Sequence, residues 1–344
     1  MNPLPRADPG EIQAWRERFI EAIDRCLLEA IQPDPSGGPL EAMITRHLES
    51  GGKRLRALIP LTICDALDVD PGRSVALGAA AEMTHNATLV HDDLQDGDTH
   101  RRGEPTVWAV SGMPQAINCG DAMFQLGMRL IAQVDAGPAM KMRLSQLHID
   151  CTLQVIGGQA REFDLMGHAR TPSTEDYLAV VRGKTGGLFK LPIAGAALLC
   201  GTDDATVEAL KEVAADMGVV FQIQDDLLDV VADKGRERRG EDLAEGKQSF
   251  LVVHALEHGA EADAARLRVI LETPRDETTG ALLEEGIAIL ERCGSLEAGQ
   301  RAIGERIAAI QRRADALGQP ALAACLARWC AIFLAPIQPW LAGR

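Results

Sequence analysis

A chain of 344 residues has ample length to bury a core and allows two domains or one large one. Hydrophobic residues at 46% and a mean hydropathy of -0.03 describe a soluble globular protein, while a net charge of -15 argues against non-specific nucleic-acid binding. Its eight cysteines (26, 64, 119, 151, 200, 293, 325, 330) form no CxxC pair and sit mostly among apolar neighbours, which points to reduced thiols in a cytoplasmic protein rather than to a disulfide frame or a zinc site.

Residues 1–10 carry no element signal and lack the basic and apolar regions of a signal peptide. A helix is expected over 11–30, with Trp15, Phe19, Ile23, Cys26 and Leu27 on one face, and the Pro/Gly-rich stretch 33–39 ends it. Helices over 40–48 and 53–67 are separated by Ser50-Gly51-Gly52, and Asp70-Pro71-Gly72 opens a long, small-residued helix over 71–96. Gly97 breaks it; Thr99 to Pro105 reads as a basic loop, and glycine and proline punctuate the chain up to Pro114. Further helices are expected at 115–134, 138–167, 174–200, 203–233, 241–258, 260–272, 276–294, 296–318 and 319–335. There is no sustained strand alternation and no Asn-Gly or Asp-Gly hairpin signal. No apolar run reaches bilayer length, Ile193–Cys200 being about half of it. With no linker and no fixed repeat, the reading is one all-α domain over 11–344.

The chemistry concentrates in two DDxxD clusters, Asp92-Asp93-Leu94-Gln95-Asp96 and Asp225-Asp226-Leu227-Leu228-Asp229, each embedded in apolar helical sequence. On a helix, 92/96 and 225/229 are i,i+4 pairs, so like charges stack on one face at a cost. A hard divalent cation compensates that cost, and Mg2+ fits best because it binds through one or two carboxylates together with substrate phosphates. Around the acids stand candidate anion ligands. Gly51-Gly52 precede Lys53 and Arg56, which share one helical face, and Arg101-Arg102 follow the first acidic cluster. His85 lies two turns before Asp92, Lys184-Thr185 adjoins Gly186-Gly187, Gln222 lies three residues before Asp225, and Lys247 closes Gly240–Lys247.

The ordered set GGKRLR, HDDLQDGDTHRRG, KTGG, FQIQDDLLD and GEDLAEGKQS is similar to that of the trans-isoprenyl diphosphate synthase (polyprenyl synthetase) family, over about residues 40–260. The resemblance implies an isoprenoid-synthase helical bundle around a central active-site cavity, usually a homodimer, that joins isopentenyl diphosphate to an allylic diphosphate and releases pyrophosphate. It implies three magnesium ions, with Asp92 and Asp96 holding two and Asp225 the third, and with Asp93, Asp226 and Asp229 in support. Arg101, Lys184, Gln222 and Lys247 would contact the allylic diphosphate or its metals. Lys53, Arg56, His85 and Arg102 would hold isopentenyl diphosphate, and Thr185 and Gln222 would line the region where the allylic cation forms. Two departures stand out: in the loop 233–240 the family's lysine is replaced by Lys234, Arg236 or Arg238, and Glu162 stands where aspartate is common.

Chain length in this family follows from where the growing tail meets a wall below the first acidic motif. Ala87 and Thr88, then Thr84, Ala81 and Ala80, are small, and the first motif has no insertion. A product of geranylgeranyl length or longer is therefore expected, with Met83, Phe124 or Met128 as candidate floors. Rival readings are a farnesyl diphosphate synthase, a terpene cyclase, or a non-catalytic subunit of a heteromeric synthase. Intact Lys53, Arg56 and His85 argue against a cyclase, and all six acidic-motif aspartates argue against a non-catalytic subunit.

Overall fold

Helix formers interrupted by Gly, Pro and Ser stops dictate a sequence of helices, and the computed structural model, which describes residues 9–31, 38–166, 171–231 and 239–342, is almost wholly helical. In chain order the helices are α1 (Pro9–Ala30), α2 (Pro39–Glu49), α3 (Leu55–Ala66), α4 (Val75–Gln95), α5 (Val107–Ser111), α6 (Met113–Gln133), α7 (Pro138–Met166), α8 (Thr174–Leu199) and α9 (Asp204–Val231). They continue as α10 (Glu241–Ala244), α11 (Phe250–His258), α12 (Glu261–Leu271), α13 (Gly280–Arg292), α14 (Ser295–Ala316), α15 (Pro320–Leu334) and α16 (Gln338–Ala342). Of the stretch expected to carry no element, Pro9 and Gly10 form the first turn of α1, and residues 1–8 lie outside the described residues. So does the loop 234–238, where a substitute for the family lysine was expected.

Contacts divide the chain into two compact units. One comprises Pro9–Thr152 and Leu188–Lys211, the other Leu153–Gly187 and the chain from Glu212 onward, so α7, α8 and α9 each contribute to both. In the first unit α4 is the central element: α1, α3 and α6 all pack on it. Its sequence explains this, since Leu77, Ala79, Ala80, Ala81, Met83 and Ala87 are buried around the whole helix rather than along one stripe. In the second unit α14 packs on α11 and α15, with Ile223, Leu251, Leu267, Leu326 and Trp329 in the core.

Four local features differ from the sequence expectation. A two-residue antiparallel hairpin, β1 (His100–Arg101) and β2 (Glu104–Pro105), occupies the expected basic loop. Its loop residues Arg102 and Gly103 both have left-handed backbones, φ 56° and 82°, the geometry of a type I′ turn, reached here by Arg-Gly rather than Asn-Gly. The expected helix 241–258 is two helices, because Gly246 turns the chain at φ 68° and Ser249 caps α11 by accepting from the Val252 N–H. The helix expected from 276 starts at Gly280, where the Thr279 hydroxyl caps it. The stretch Pro320–Leu341 is long and apolar enough to cross a membrane by length and composition, against the expectation that none was; half of it is buried within the protein, and its lone Arg328 had interrupted the apolar run.

Two glycines set helix spacing in the second unit. A Cβ on Gly158 of α7 would lie 2.2 Å from the Lys184 backbone nitrogen of α8, and one on Gly218 of α9 would lie 2.5 Å from the Gly186 Cα. Lys184 and Thr185 are thus carried on a helix held by backbone contact on both sides. Ordinarily Gly→Ala within a helix stabilises by up to about 1 kcal/mol. At Gly218 the sign reverses: Gly218→Ala is expected to destabilise by about 1–3 kcal/mol through overpacking, read as a lowered denaturation midpoint, and an unchanged or raised midpoint would refute the backbone contact.

Candidate active site

Helix C-termini carry partial negative charge, so they favour cations and disfavour carboxylates. Yet Asp92 and Asp96 occupy the last turn of α4, where the Asp96 N–H donates to the Asp92 carbonyl, and Asp225 and Asp229 lie in the last turns of α9. Burial sorts the six aspartates. Asp93, Asp226 and Asp229 are 1%, 3% and 2% exposed, whereas Asp92, Asp96 and Asp225 are half-buried and reach solvent. A buried carboxylate needs hydrogen-bond partners, and the surroundings supply them to Asp226 and Asp229 but only to one oxygen of Asp93, whose Oδ2 has none.

In the first unit Asp93 accepts from the Arg101 Nε at 2.5 Å, and Arg101 also stands 4.0 Å from Asp98. Burial nevertheless pushes the Asp93 carboxyl up to about 6, against the pull of Arg101. The adjoining Arg102 donates to the Gly51 carbonyl, and its guanidinium lies 2.9 Å from where a Gly52 Cβ would be, so only glycine leaves it room. Gly51 and Gly52 take φ 94° and 135°, and Arg54 follows at 52°. Buried Arg54 ties this turn down, donating to Asp24 at 3.1 Å and to the Leu48 carbonyl at 2.7 Å. Lys53 is exposed beside it. Arg56, on the first turn of α3, lies 4.9 Å above the Phe189 ring and donates to the His85 Nε2 at 3.1 Å. That bond makes His85 a neutral imidazole protonated on Nδ1, in keeping with burial and Arg56 together holding its pKa well below the usual value. A cavity of about 300 Å³ opens between the C-terminal turn of α2 and the hairpin, lined by Arg46, His47, Asp93, Arg101 and Arg102 among others.

The second unit builds a separate cavity of about 100 Å³, lined by Glu162, Tyr177, Lys184, Thr185, Gln222, Asp225, Asp226, Asp242 and Lys247 among others. Asp226 is its hub. It accepts from the Tyr177 hydroxyl at 2.8 Å, the Gln222 amide at 3.0 Å and the Phe250 N–H at 2.7 Å. Burial first, and Asp242 next, raise its carboxyl pKa, while these three donors pull the other way. The Thr185 hydroxyl donates to Gln222 Oε1 at 2.9 Å, extending the chain of bonds. Lys184 pairs with Glu162, and Lys247 with Glu245 at 2.5 Å. Asp229 accepts from the Asp242 N–H at 3.2 Å, which ties the end of α9 to α10.

Within each unit the structure therefore gathers the expected residues: Asp92, Asp93, Asp96, Arg101, Arg102, Lys53, Arg56 and His85 in one, Lys184, Thr185, Gln222, Asp225, Asp226, Asp229 and Lys247 in the other. Ala80, Ala81, Thr84 and Ala87 are buried below Asp92 on α4, and Thr88 is half-buried. Phe124, one of the three candidate floors, lies 5.8 Å from the His91 ring. Sequence reading missed Tyr177, although it lies seven residues, two helical turns, before Lys184 and is the chain's only tyrosine. It also missed Asp242, whose N–H reaches Asp229, and the Phe250 N–H, which reaches Asp226 from beyond the turn at Gly246.

No three His, Cys, Asp or Glu side chains converge on one point among the described residues. That donor set fits magnesium, which binds through one or two carboxylates and completes its shell with water and phosphate oxygens rather than with an all-protein cage. The solvent-reaching pair Asp92 and Asp96, and Asp225, present oxygen donors of that kind at two negative helix ends.

The polyprenyl synthetase family model matches residues 38–289. A geranylgeranyl diphosphate synthase of Mycobacterium tuberculosis is 35% identical over 278 residues, covering 80% of this chain and 78% of that protein. A short chain isoprenyl diphosphate synthase of Methanothermobacter thermautotrophicus is 33% identical over 291 residues, covering 83% and 87%. The crystal structure of geranylgeranyl pyrophosphate synthetase from Pyrococcus horikoshii superposes with a TM-score of 0.83 at 29% identity, covering 95% of this chain and 98% of that one. The fold is accordingly the all-α isoprenoid-synthase fold. With its acidic helix ends, the cations that accompany them and these relatives in agreement, the chain belongs to the polyprenyl synthetase family and is a prenyl diphosphate synthase.

Proposed function

We propose that the protein condenses isopentenyl diphosphate with an allylic diphosphate and makes geranylgeranyl diphosphate or a longer chain. The observation that carries the length is the run of small buried side chains on α4, with Ala80 and Ala87 both 0% exposed directly below the acidic motif. The geranylgeranyl synthases among its relatives support the same length.

Asp92, Asp96 and Asp225 would hold magnesium, three ions in this reading, and the metal would supply charge stabilisation for the departing allylic diphosphate. Lys184 and Lys247 leave their carboxylate partners for the allylic diphosphate. Lys53, Arg56 and Arg102 grip the diphosphate of isopentenyl diphosphate beside the Gly51-Gly52 turn, with His85 bonded to Arg56. The Gln222 carbonyl oxygen, fixed by Thr185, presents a partial negative charge toward the developing allylic cation. The double bond of isopentenyl diphosphate attacks that cation, and the departing pyrophosphate takes the proton, so no side-chain nucleophile is needed.

The protein acts as a homodimer in this reading. Met142, Ile149, Leu153 and Ile156 are 72%, 42%, 62% and 49% exposed at helical spacing along α7, an apolar stripe suited to a second copy of the same helix. Leu153→Glu is expected to shift the protein to monomer in sedimentation; an unchanged dimer would move the interface elsewhere.

Incubation with magnesium, isopentenyl diphosphate and each of dimethylallyl, geranyl and farnesyl diphosphate tests the reaction, with consumption of isopentenyl diphosphate expected only when an allylic primer and the metal are both present. No consumption with any primer overturns it. Asp92→Ala is expected to lower kcat by roughly 100-fold or more, because it strips an oxygen ligand from the charge-stabilising apparatus. Near-normal turnover would remove Asp92 from the site. Ala87→Phe is expected to shorten the product, and an unaltered product distribution would show that the tail does not pass Ala87.

A further inference from the structure

We propose that Cys64 of α3 and Cys200 at the end of α8 form a site of reversible oxidation, whose disulfide joins the two helices. The inference is independent of the reaction proposed above. Cys64 lies in the last turn of α3 and is 0% exposed. Cys200 is half-buried directly after α8, where the Gly201 and Thr202 N–H groups donate to the Leu198 and Ala197 carbonyls and Gly201 ends the helix at φ 78°. The two cysteines are 136 residues apart in sequence, yet the Cys200 thiol donates to the Cys64 sulfur at 3.5 Å. A disulfide holds its sulfurs about 2.05 Å apart, so an approach of roughly 1.5 Å closes the bond. Side-chain rotation and a small shift of the chain at a helix end supply that distance. The same two helices also meet through Arg56 and Phe189, whose guanidinium and ring lie 4.9 Å apart, so the sulfurs are brought together by more than their own contact.

Both residues are free thiols in this structure. The hydrogen bond from Cys200 lowers the Cys64 pKa against the opposing effect of burial, and Ser74 and Arg73 act in the same direction as Cys200. Cys200 keeps its proton, its pKa raised by that same hydrogen bond and then by burial. Burial instead pushes the thiols of Cys119, Cys151 and Cys330 up to about 12, which leaves little thiolate on them. A buried sulfur selects a small, uncharged oxidant, and hydrogen peroxide is one. The Cys64 thiolate attacks a peroxide oxygen, the O–O bond breaks and hydroxide leaves, giving a sulfenic acid. The Cys200 sulfur then attacks Cys64, the S–O bond breaks, and the second hydroxide leaves as water with the Cys200 proton. In sum two thiols and one peroxide become one disulfide and two waters, with two electrons passing from sulfur to oxygen. A dithiol reductant reverses the bond by exchange.

The unmodified full chain tests the pair, so no variant has to fold. The native protein is treated with hydrogen peroxide, then unfolded in a thiol-alkylating reagent and digested with trypsin. Of its eight cysteines, six are expected to be alkylated after peroxide and all eight after a further treatment with dithiothreitol. The two missing thiols are expected in one linked species joining peptide 57–73 to peptide 191–211, each of which holds a single cysteine. Because the bond closes a long loop of the unfolded chain, the oxidised protein is also expected to melt roughly 5 °C higher, a rise that dithiothreitol abolishes. Cys200→Ser, treated in the same way, is expected to show neither the linked species nor the rise. Eight alkylated thiols after peroxide overturn the proposal, as does a pair of missing thiols that maps to other cysteines. Cys64 recovered as sulfinic or sulfonic acid with Cys200 alkylated also overturns it, since the second thiol would then have failed to close the bond. A linked species with an unchanged or lowered midpoint overturns the native juxtaposition, because a bond forced from an opened chain strains the fold.

Discussion

Two pairs of carboxylates stand at the negative ends of two helices, and neither pair is stable there on its own. Stacking like charges at i,i+4 costs energy, and the helix dipole adds to the cost at both termini. The fold answers by dividing each triplet. One aspartate of the first motif and two of the second are buried, while the remainder reach solvent. The two buried central aspartates are partnered differently: Asp93 through Oδ1 alone, by a guanidinium from the hairpin next to it in sequence, its Oδ2 having no hydrogen-bond partner, and Asp226 by a tyrosine, a glutamine and a backbone amide drawn from three helices. Both keep pKa values raised toward neutrality. Those raised values show that their partners only partly offset the loss of water.

The cations around these acids already have partners within the protein. Lys184 and Lys247 pair with Glu162 and Glu245, and Arg102 donates to a backbone carbonyl; in the proposed function a diphosphate takes the place of these partners. Glu162 acquires a reason in this setting, since it is the resting partner of Lys184. Arg56 is different. Stacked over Phe189 and bonded to His85, with its pKa lowered to about 10 by burial, it is already fixed in place before any ligand arrives.

Most of the fold was legible because long helices announce themselves by stops: Gly51-Gly52, Asp70-Pro71-Gly72 and Gly97 all mark real boundaries or lie within a few residues of them. The first-line residues of the site were legible too, since DDxxD and glycine-flanked cations are local in sequence. What stayed hidden depends on contacts between distant segments. Tyr177 reaches Asp226 across 49 residues and His148 reaches Thr84 across 64, and neither pairing leaves a trace at short range. The hairpin escaped for another reason: its turn is Arg-Gly, and the left-handed Arg102 is held by a carbonyl some fifty residues away rather than by its own preference.

Arg102 also bears on how this enzyme could evolve. A left-handed backbone costs a residue with a Cβ roughly 1–2 kcal/mol, a cost that glycine avoids and asparagine lessens. A chain selected for stability alone would drift to one of those two at position 102, and the hairpin would close more easily. Holding a cation at that turn keeps the loop less stable than the fold permits. In the proposed role of Arg102 as a ligand of isopentenyl diphosphate, mutational routes to a more heat-resistant protein and routes to a more active one separate at this residue, so that a search for thermostable variants would select against substrate binding.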